Sequence, residues 1–275
     1  MQRKPHVIFV VAVIAAAVSA GAGCDKLRAR DKLNKGVLAY KNGQFDLAIE
    51  DFKAAKDYDP SLTNAQLYLA TAYASQYIPG APSPDNVRNG EQAIAEFKDI
   101  LDHDPNNLSA IDGIGSILYN MGSTPYDEKK ILESKSYHEK HIDLKPDDPE
   151  PYYWVGVIDW ALAYRANRDM REEYNKTANA KKQIKESDPL PAALVTQFSQ
   201  KYGDTVDDGI AKLQKAISLQ PDYDDAMAYL NLVYRQKADM ETSSDARNAD
   251  LDQADKLVDQ VKAIKQKKAN LTPSS

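Results

Sequence analysis

With 275 residues, 43% of them hydrophobic and 28% charged, the chain has enough apolar material for an ordered fold, and its 12 glycines are too few for a loop-rich β architecture. Its 35 basic residues stand against 41 acidic ones, a net charge of −6 that speaks against nucleic-acid binding, since that affinity depends on clustered cations releasing counterions. The one cationic cluster, Lys262, Lys265, Lys267 and Lys268, closes a predicted C-terminal helix, where the macrodipole favours positive charge at a solvated end.

The chain opens as an export signal. Arg3 and Lys4 precede the apolar run Val7 to Ala20, fourteen residues with only Ser19 polar, and the small residues Gly21, Ala22 and Gly23 follow. That run is shorter than the roughly 20 residues that span a bilayer comfortably, so a cleaved leader over 1–23 is expected rather than a permanent transmembrane helix. Loss of Arg3 and Lys4 with the leader leaves 33 basic against 41 acidic residues. Cys24, the sole cysteine, stands directly after it. Ala22-Gly23-Cys24 resembles the end of a bacterial lipobox, in which the cysteine is lipidated and becomes the mature N-terminus. Gly21 departs from the aliphatic residue usual in that pattern, which leaves cleavage after Val18-Ser19-Ala20 and a soluble periplasmic product as the alternative. Residues 24–28 are expected as a short tether.

From Ala29 the chain repeats. The clearest unit, 29–62, carries Gly36, Gly43, Phe45, Ala48, Phe52, Ala55 and Pro60. Each suits a helix-turn-helix: Gly36 and Ala48 are small enough for two helices to approach, Gly43 permits the turn, Phe45 and Phe52 fill the interior, and Pro60 ends the second helix. A second copy, 63–107, has Leu69, Ala70 and Tyr73, then Ala93, Phe97, Ile100 and Pro105, with eleven residues inserted along the Pro-rich stretch Tyr77 to Arg88. The third, 108–148, has Gly115, Leu118 and Gly122, then Ile131, Tyr137, Ile142 and Pro146. The fourth, 149–223, starts with Tyr152, Val155 and Gly156 but reaches Leu213, Ala216, Leu219 and Pro221 only after an insertion of 41 residues, Ala161 to Lys201. Within it, helix is predicted to about Lys185, a break at Asp188-Pro189-Leu190-Pro191, and a second short helix from Leu194 to Phe198. The fifth, 224–268, has Ala226, Leu230 and Tyr234, and a last helix with Leu251, Ala254, Leu257, Val258, Val261 and Ile264 at helical spacing, followed by a disordered tail over 269–275.

The pattern of the first unit resembles the tetratricopeptide repeat, and about five copies cover Ala29 to Lys268, strict at first and diluted later. The resemblance implies an all-α fold, a right-handed solenoid of antiparallel helix pairs in which each repeat buries its apolar face on its neighbours, with the last helix as a polar cap.

His138 and His141 are three apart, one residue short of the zinc-protease spacing, and with His103 they fall on registers that the repeat uses for packing, so no metal is expected. Gly113-Ile114-Gly115 lacks the third glycine of a dinucleotide loop, and no nucleophile elbow or second cysteine occurs. The pairs Asp147-Asp148, Asp207-Asp208 and Asp224-Asp225 read as helix N-terminal caps. No catalytic residue and no cofactor are expected.

In tetratricopeptide arrays the first helices line a binding groove. The resemblance carries that role onto Arg30, Leu33, Val37, Tyr40 and Lys41. Family members that grip acidic chaperone tails use Lys and Asn where this chain has Leu33 and Val37, so that clamp is missing. In the fourth copy Tyr153, Val157, Trp160 and Tyr164 recur at intervals of 4, 3 and 4 and share one helix face. That face is either an aromatic platform for a protein or peptide partner, or packs beneath the 161–201 insertion. The functional expectation is a non-catalytic protein-interaction scaffold in the bacterial cell envelope, on the periplasmic side, lipid-anchored through Cys24. A soluble periplasmic peptide- or substrate-binding protein and an accessory subunit of an enzyme complex are the alternatives.

Overall fold

The computed structural model describes residues 6–179 and 182–271. The basic start of the expected leader, with Arg3 and Lys4, and the end of the expected tail, 272–275, lie outside the described residues. Among the described residues the fold is all-α, ten helices in antiparallel pairs of tetratricopeptide solenoid type. They divide into two compact units, one ending at Asp127 and one starting at Glu128, so the expected third repeat, 108–148, falls across the division.

The first unit contains α1 (His6–Lys41), α2 (Phe45–Tyr58), α3 (Thr63–Gln76), α4 (Pro84–His103) and α5 (Leu108–Ser123), each packed on the next, with α3 also against α1 and α5. Residues 24–28 are helical, part of α1, and Cys24 is exposed there. No helix among the described residues is long and apolar enough to cross a membrane. Gly43 makes the α1–α2 turn at φ +72°, in the left-handed region that a side chain disfavours. The close approach of the pair is set by Gly36. A Cβ there would stand 2.5 Å from Cε1 of the fully buried Phe52.

Proline terminates the second helices as the spacing predicts. In α2 and α4 the last helical residue is the second before Pro60 or Pro105, and the intervening Asp59 and Asp104 have left the helical region, at φ −144° and −133°. The pyrrolidine ring clashes with a helical conformation in the residue before it. The eleven inserted residues become a short loop plus extra turns of α4. Asn86 folds that loop, its amide nitrogen donating to the Ile78 and Ala81 carbonyls at 2.8 and 2.9 Å while its oxygen accepts from the Ile78 N–H at 2.6 Å.

The second unit contains α6 (Glu128–Leu144), α7 (Pro149–Thr177), α8 (Ala192–Leu219), α9 (Asp224–Ala238) and α10 (Ser244–Leu271), again packed in succession, with α9 also against α7. The 41-residue insertion is absorbed differently from the sequence expectation. α7 ends at Thr177 rather than near Lys185, and the helix after Pro191 runs unbroken to Leu219 instead of stopping at Phe198. The early stop has a local cause: Asn175 turns the chain back by accepting from the Ile184 N–H at 2.9 Å and donating to its carbonyl at 2.8 Å. The long run of α8 follows from one apolar stripe, Val195, Phe198, Val206, Ile210 and Leu213, all buried at helical spacing. Asp207-Asp208 therefore lies inside α8 and caps nothing, whereas Asp148 does cap α7, accepting from the Glu150 N–H at 3.1 Å.

Candidate binding surfaces

In the first unit the open faces of α3 and α5 enclose a cavity of about 580 Å³. Tyr68, Thr71, Ser116, Ile117 and Asn120 are among its walls, and no charged side chain lines it. Tyr68 stacks on Phe52, ring centroids 5.5 Å apart and 16° from parallel, so its position is fixed by the core beneath while 40% of it stays exposed. The groove residues carried over to α1 are placed apart from this cavity. Arg30 and Lys41 are exposed, Leu33, Val37 and Tyr40 are half-buried, and none of the five lines it. Tyr40 is tied down by edge contact with Phe45 and by a 2.8 Å hydrogen bond between its hydroxyl and that of Ser75.

In the second unit the aromatic face of α7 meets α9. Tyr153 packs its ring against Tyr223 and Tyr229 at 5.1 and 5.7 Å, and Trp160 stacks on Tyr164 at 5.3 Å while receiving the edge of Tyr229 at 5.2 Å. Burial and nearby carboxylates push the Tyr223 hydroxyl up to about 12, so it stays neutral. Val157 is 1% exposed and belongs to the interior, because at its turn of the helix the stripe dips beneath the surface. The face is thus neither open nor buried under the insertion. Its Tyr153 end is partnered by α9, and its Trp160 and Tyr164 end walls a cavity of about 950 Å³, with Ile184 to Ser187 of the insertion on another wall.

A buried polar network holds that wall in place. Arg171 donates from Nε to Asn167 at 2.7 Å, from Nη2 to Asp239 at 2.7 Å, and from Nη1 to the carbonyls of Lys185 and Asp188 at 2.7 and 2.9 Å. Asn167 in turn donates to Gln236 and Asp239 at 3.0 and 2.9 Å. A second network joins α6, α7 and α8: Lys135 lies 2.7 Å from the fully buried Asp159 and 2.9 Å from Asp208. Burial pushes the Asp159 carboxyl up to about 7 despite the opposing pull of Lys135. Sequence reasoning missed both networks, whose links between helices join residues 24 to 73 apart with no local spacing to reveal them.

The histidines divide. His138 and His141 are buried on α6, as their register predicts, but His103 is exposed at the end of α4, its Nδ1 2.8 Å from the Asp99 carbonyl. His138 stacks on Trp154 at 5.7 Å, and neither ring nitrogen has a hydrogen-bond partner. Burial, with His141 adding to it, holds the ring near pKa 4. Among the described residues no group of three or more His, Cys, Asp or Glu side chains is placed to hold a metal ion.

Residues 32–62 match the tetratricopeptide repeat model, the segment in which the Gly36, Gly43, Phe52 and Pro60 pattern is strict. No curated protein sequence matches the chain. Among solved structures the chain is similar to a MamA protein at 17% identity, covering 90% of this chain and 97% of that one with a TM-score of 0.55. It is also similar to residues 41 to the end of MamA from Desulfovibrio magneticus RS-1, at 14% identity over 87% and 96% of the two chains with a TM-score of 0.54. At such identities the likeness is one of fold. The fold is that of a tetratricopeptide repeat protein.

Proposed function

We propose that this chain is a non-catalytic scaffold that docks a protein or peptide partner, held at the periplasmic face of a bacterial membrane by lipid on Cys24. The observation that carries the reading is the placement of a cavity on successive first helices within each unit, α3 with α5 and α7 with α9. Side chains there are pre-set by packing beneath them, Tyr68 on Phe52 and Trp160 against Tyr229, so docking costs little ordering entropy. Peptides bind such faces through aromatic and apolar contact, with backbone groups satisfied by amides and hydroxyls like those of Asn64, Asn120 and Ser116.

The anchor rests on the leader pattern and on the position of Cys24. Five residues at the helical rise of about 1.5 Å put it roughly 8 Å from the buried Ala29 of α1, which would hold the first unit close to the bilayer. One acyl chain binds a membrane marginally, so the multiple acylation of a bacterial lipoprotein cysteine suits stable anchoring. Metabolic acyl labelling tests this part: label lost in Cys24→Ser, with globomycin blocking maturation of the parent, is the expected result, and an unlabelled parent refutes the anchor. Crosslinking in the native membrane tests the scaffold. A discrete protein adduct is expected, and its absence contradicts the reading.

A further inference from the structure

We infer that the cavity of the second unit binds the C-terminal end of a peptide whose last residue is large and apolar, its free carboxylate taken by Arg247 and its side chain by the Trp160 wall. This deepens the scaffold reading and rests on it. The chain carries a net charge of −6, yet the lining of this cavity holds five basic side chains, Arg168, Arg171, Lys185, Arg235 and Arg247, against three acidic ones, Glu172, Glu186 and Asp239. The charges are not equally engaged. Arg171 and Asp239 satisfy one another at 2.7 Å, and Glu172 lies 3.4 Å from Lys176.

Arg247 is left short of partners. Its Nε is buried without a hydrogen bond, and its Nη2 has only long contacts, 3.4 Å to the Ser187 carbonyl and 3.7 Å to Asp239. A guanidinium presents donors in a planar fork suited to the two oxygens of a carboxylate, and a desolvated donor gains most from such a partner. Arg235 and Arg168 on the same lining are already paired, with Asp255 at 2.7 Å and Asp169 at 3.1 Å, so the carboxylate falls to Arg247. Trp160, Tyr164, Leu232, Leu251 and Ile184 supply the apolar walls, and about 950 Å³ accommodates a few residues rather than a folded surface. Ile184 to Ser187 come from the insertion, so one wall of the pocket lies outside the repeat pattern.

The test is fluorescence anisotropy on the full mature chain with three labelled hexapeptides ending in Leu, Phe or Trp, each with a free or an amidated C-terminus. At least one free-acid peptide is expected to bind ten times or more tighter than its amide, to weaken with added salt, and to lose at least fivefold on Arg247→Gln. Should Arg247→Gln lose its circular dichroism signal, Leu251→Glu provides the second variant, expected to repel the carboxylate. Equal binding of acid and amide, no binding of any peptide, or undiminished binding by both variants overturns the inference. A native crosslinked partner insensitive to Arg247→Gln would sink this pocket while leaving the scaffold standing, whereas absence of any crosslinked partner would sink the scaffold.

Discussion

Arg171 of α7 and Asp239, just beyond α9, form an ion pair at 2.7 Å across 68 residues of sequence, with 6% and 8% of each exposed. The same guanidinium holds the carbonyls of Lys185 and Asp188, so one side chain binds two helices and the returning loop together. Arg171→Met should cost about 3–5 kcal/mol in urea unfolding, because it leaves a buried carboxylate without its main partner. Loss of the loop's anchor should also speed tryptic cleavage after Lys182 and Lys185. Combining it with Asp239→Leu should recover part of the stability, since the cost arises largely from the orphaned charge. A single variant as stable as the parent would contradict this account.

Close packing at glycine gives a second prediction. A methyl at Gly36 would stand 2.5 Å from Phe52, and one at Gly156 would stand 2.4 Å from Cγ of Leu213. Gly36→Ala and Gly156→Ala should each destabilise by about 1–3 kcal/mol through overpacking. Gly203→Ala within α8, whose added atom meets nothing nearer than the Ser199 hydroxyl at 4.0 Å, is the comparison without overpacking. Thermal denaturation reads the difference, and adding Phe52→Leu to Gly36→Ala should relieve some of the strain.

These glycines were legible in the sequence because the constraint is local: Gly36, Gly43, Phe52 and Pro60 each act within one helix pair, and the pair repeats. The ends of α2 and α4 were legible for the same reason, a proline acting on the residue before it. The insertion was not. Whether α7 stops at Thr177 depends on Asn175 finding Ile184, and α8 runs on because its stripe has a core to meet, neither of which periodicity alone can decide. The Trp160 face was visible as a stripe, but Val157 lies within the interior and Tyr229, 69 residues from Trp160, supplies the ring that meets it. Arg247 carried no signal, being a lone arginine until the fold sets it beside Asp239 and the loop.

Two buried groups give opposing pH dependences. His138 titrates near 4 when folded and near 6.5 when unfolded, so the unfolded chain binds a proton that the folded one refuses as pH falls through that window. Its presence therefore removes stability on acidification, by about 3 kcal/mol once pH reaches 4, and has no effect above 6.5. Asp159 runs the other way: with its folded pKa raised from 3.8 to about 7, protonation favours the folded state at low pH, and that contribution is lost as pH rises through 7. The parent should show partial cancellation between pH 4 and 6.5. Urea titrations at several pH values should show His138→Phe gaining on the parent at pH 4.5 relative to pH 7.5. Asp159→Asn should gain on it at pH 8 relative to pH 5, by at most about 1.4 kcal/mol per pH unit. Variants that parallel the parent at every pH would refute these assignments.

The scaffold reading is tested most directly by where a partner touches. A photocrosslinking amino acid placed at Tyr68, which is 40% exposed on the α3–α5 cavity, is compared in native membranes with one at Leu47, 47% exposed on α2 and away from that lining. The account predicts a discrete protein adduct from position 68 and none from position 47. Equal adducts from both positions, or an adduct from position 47 alone, would contradict it.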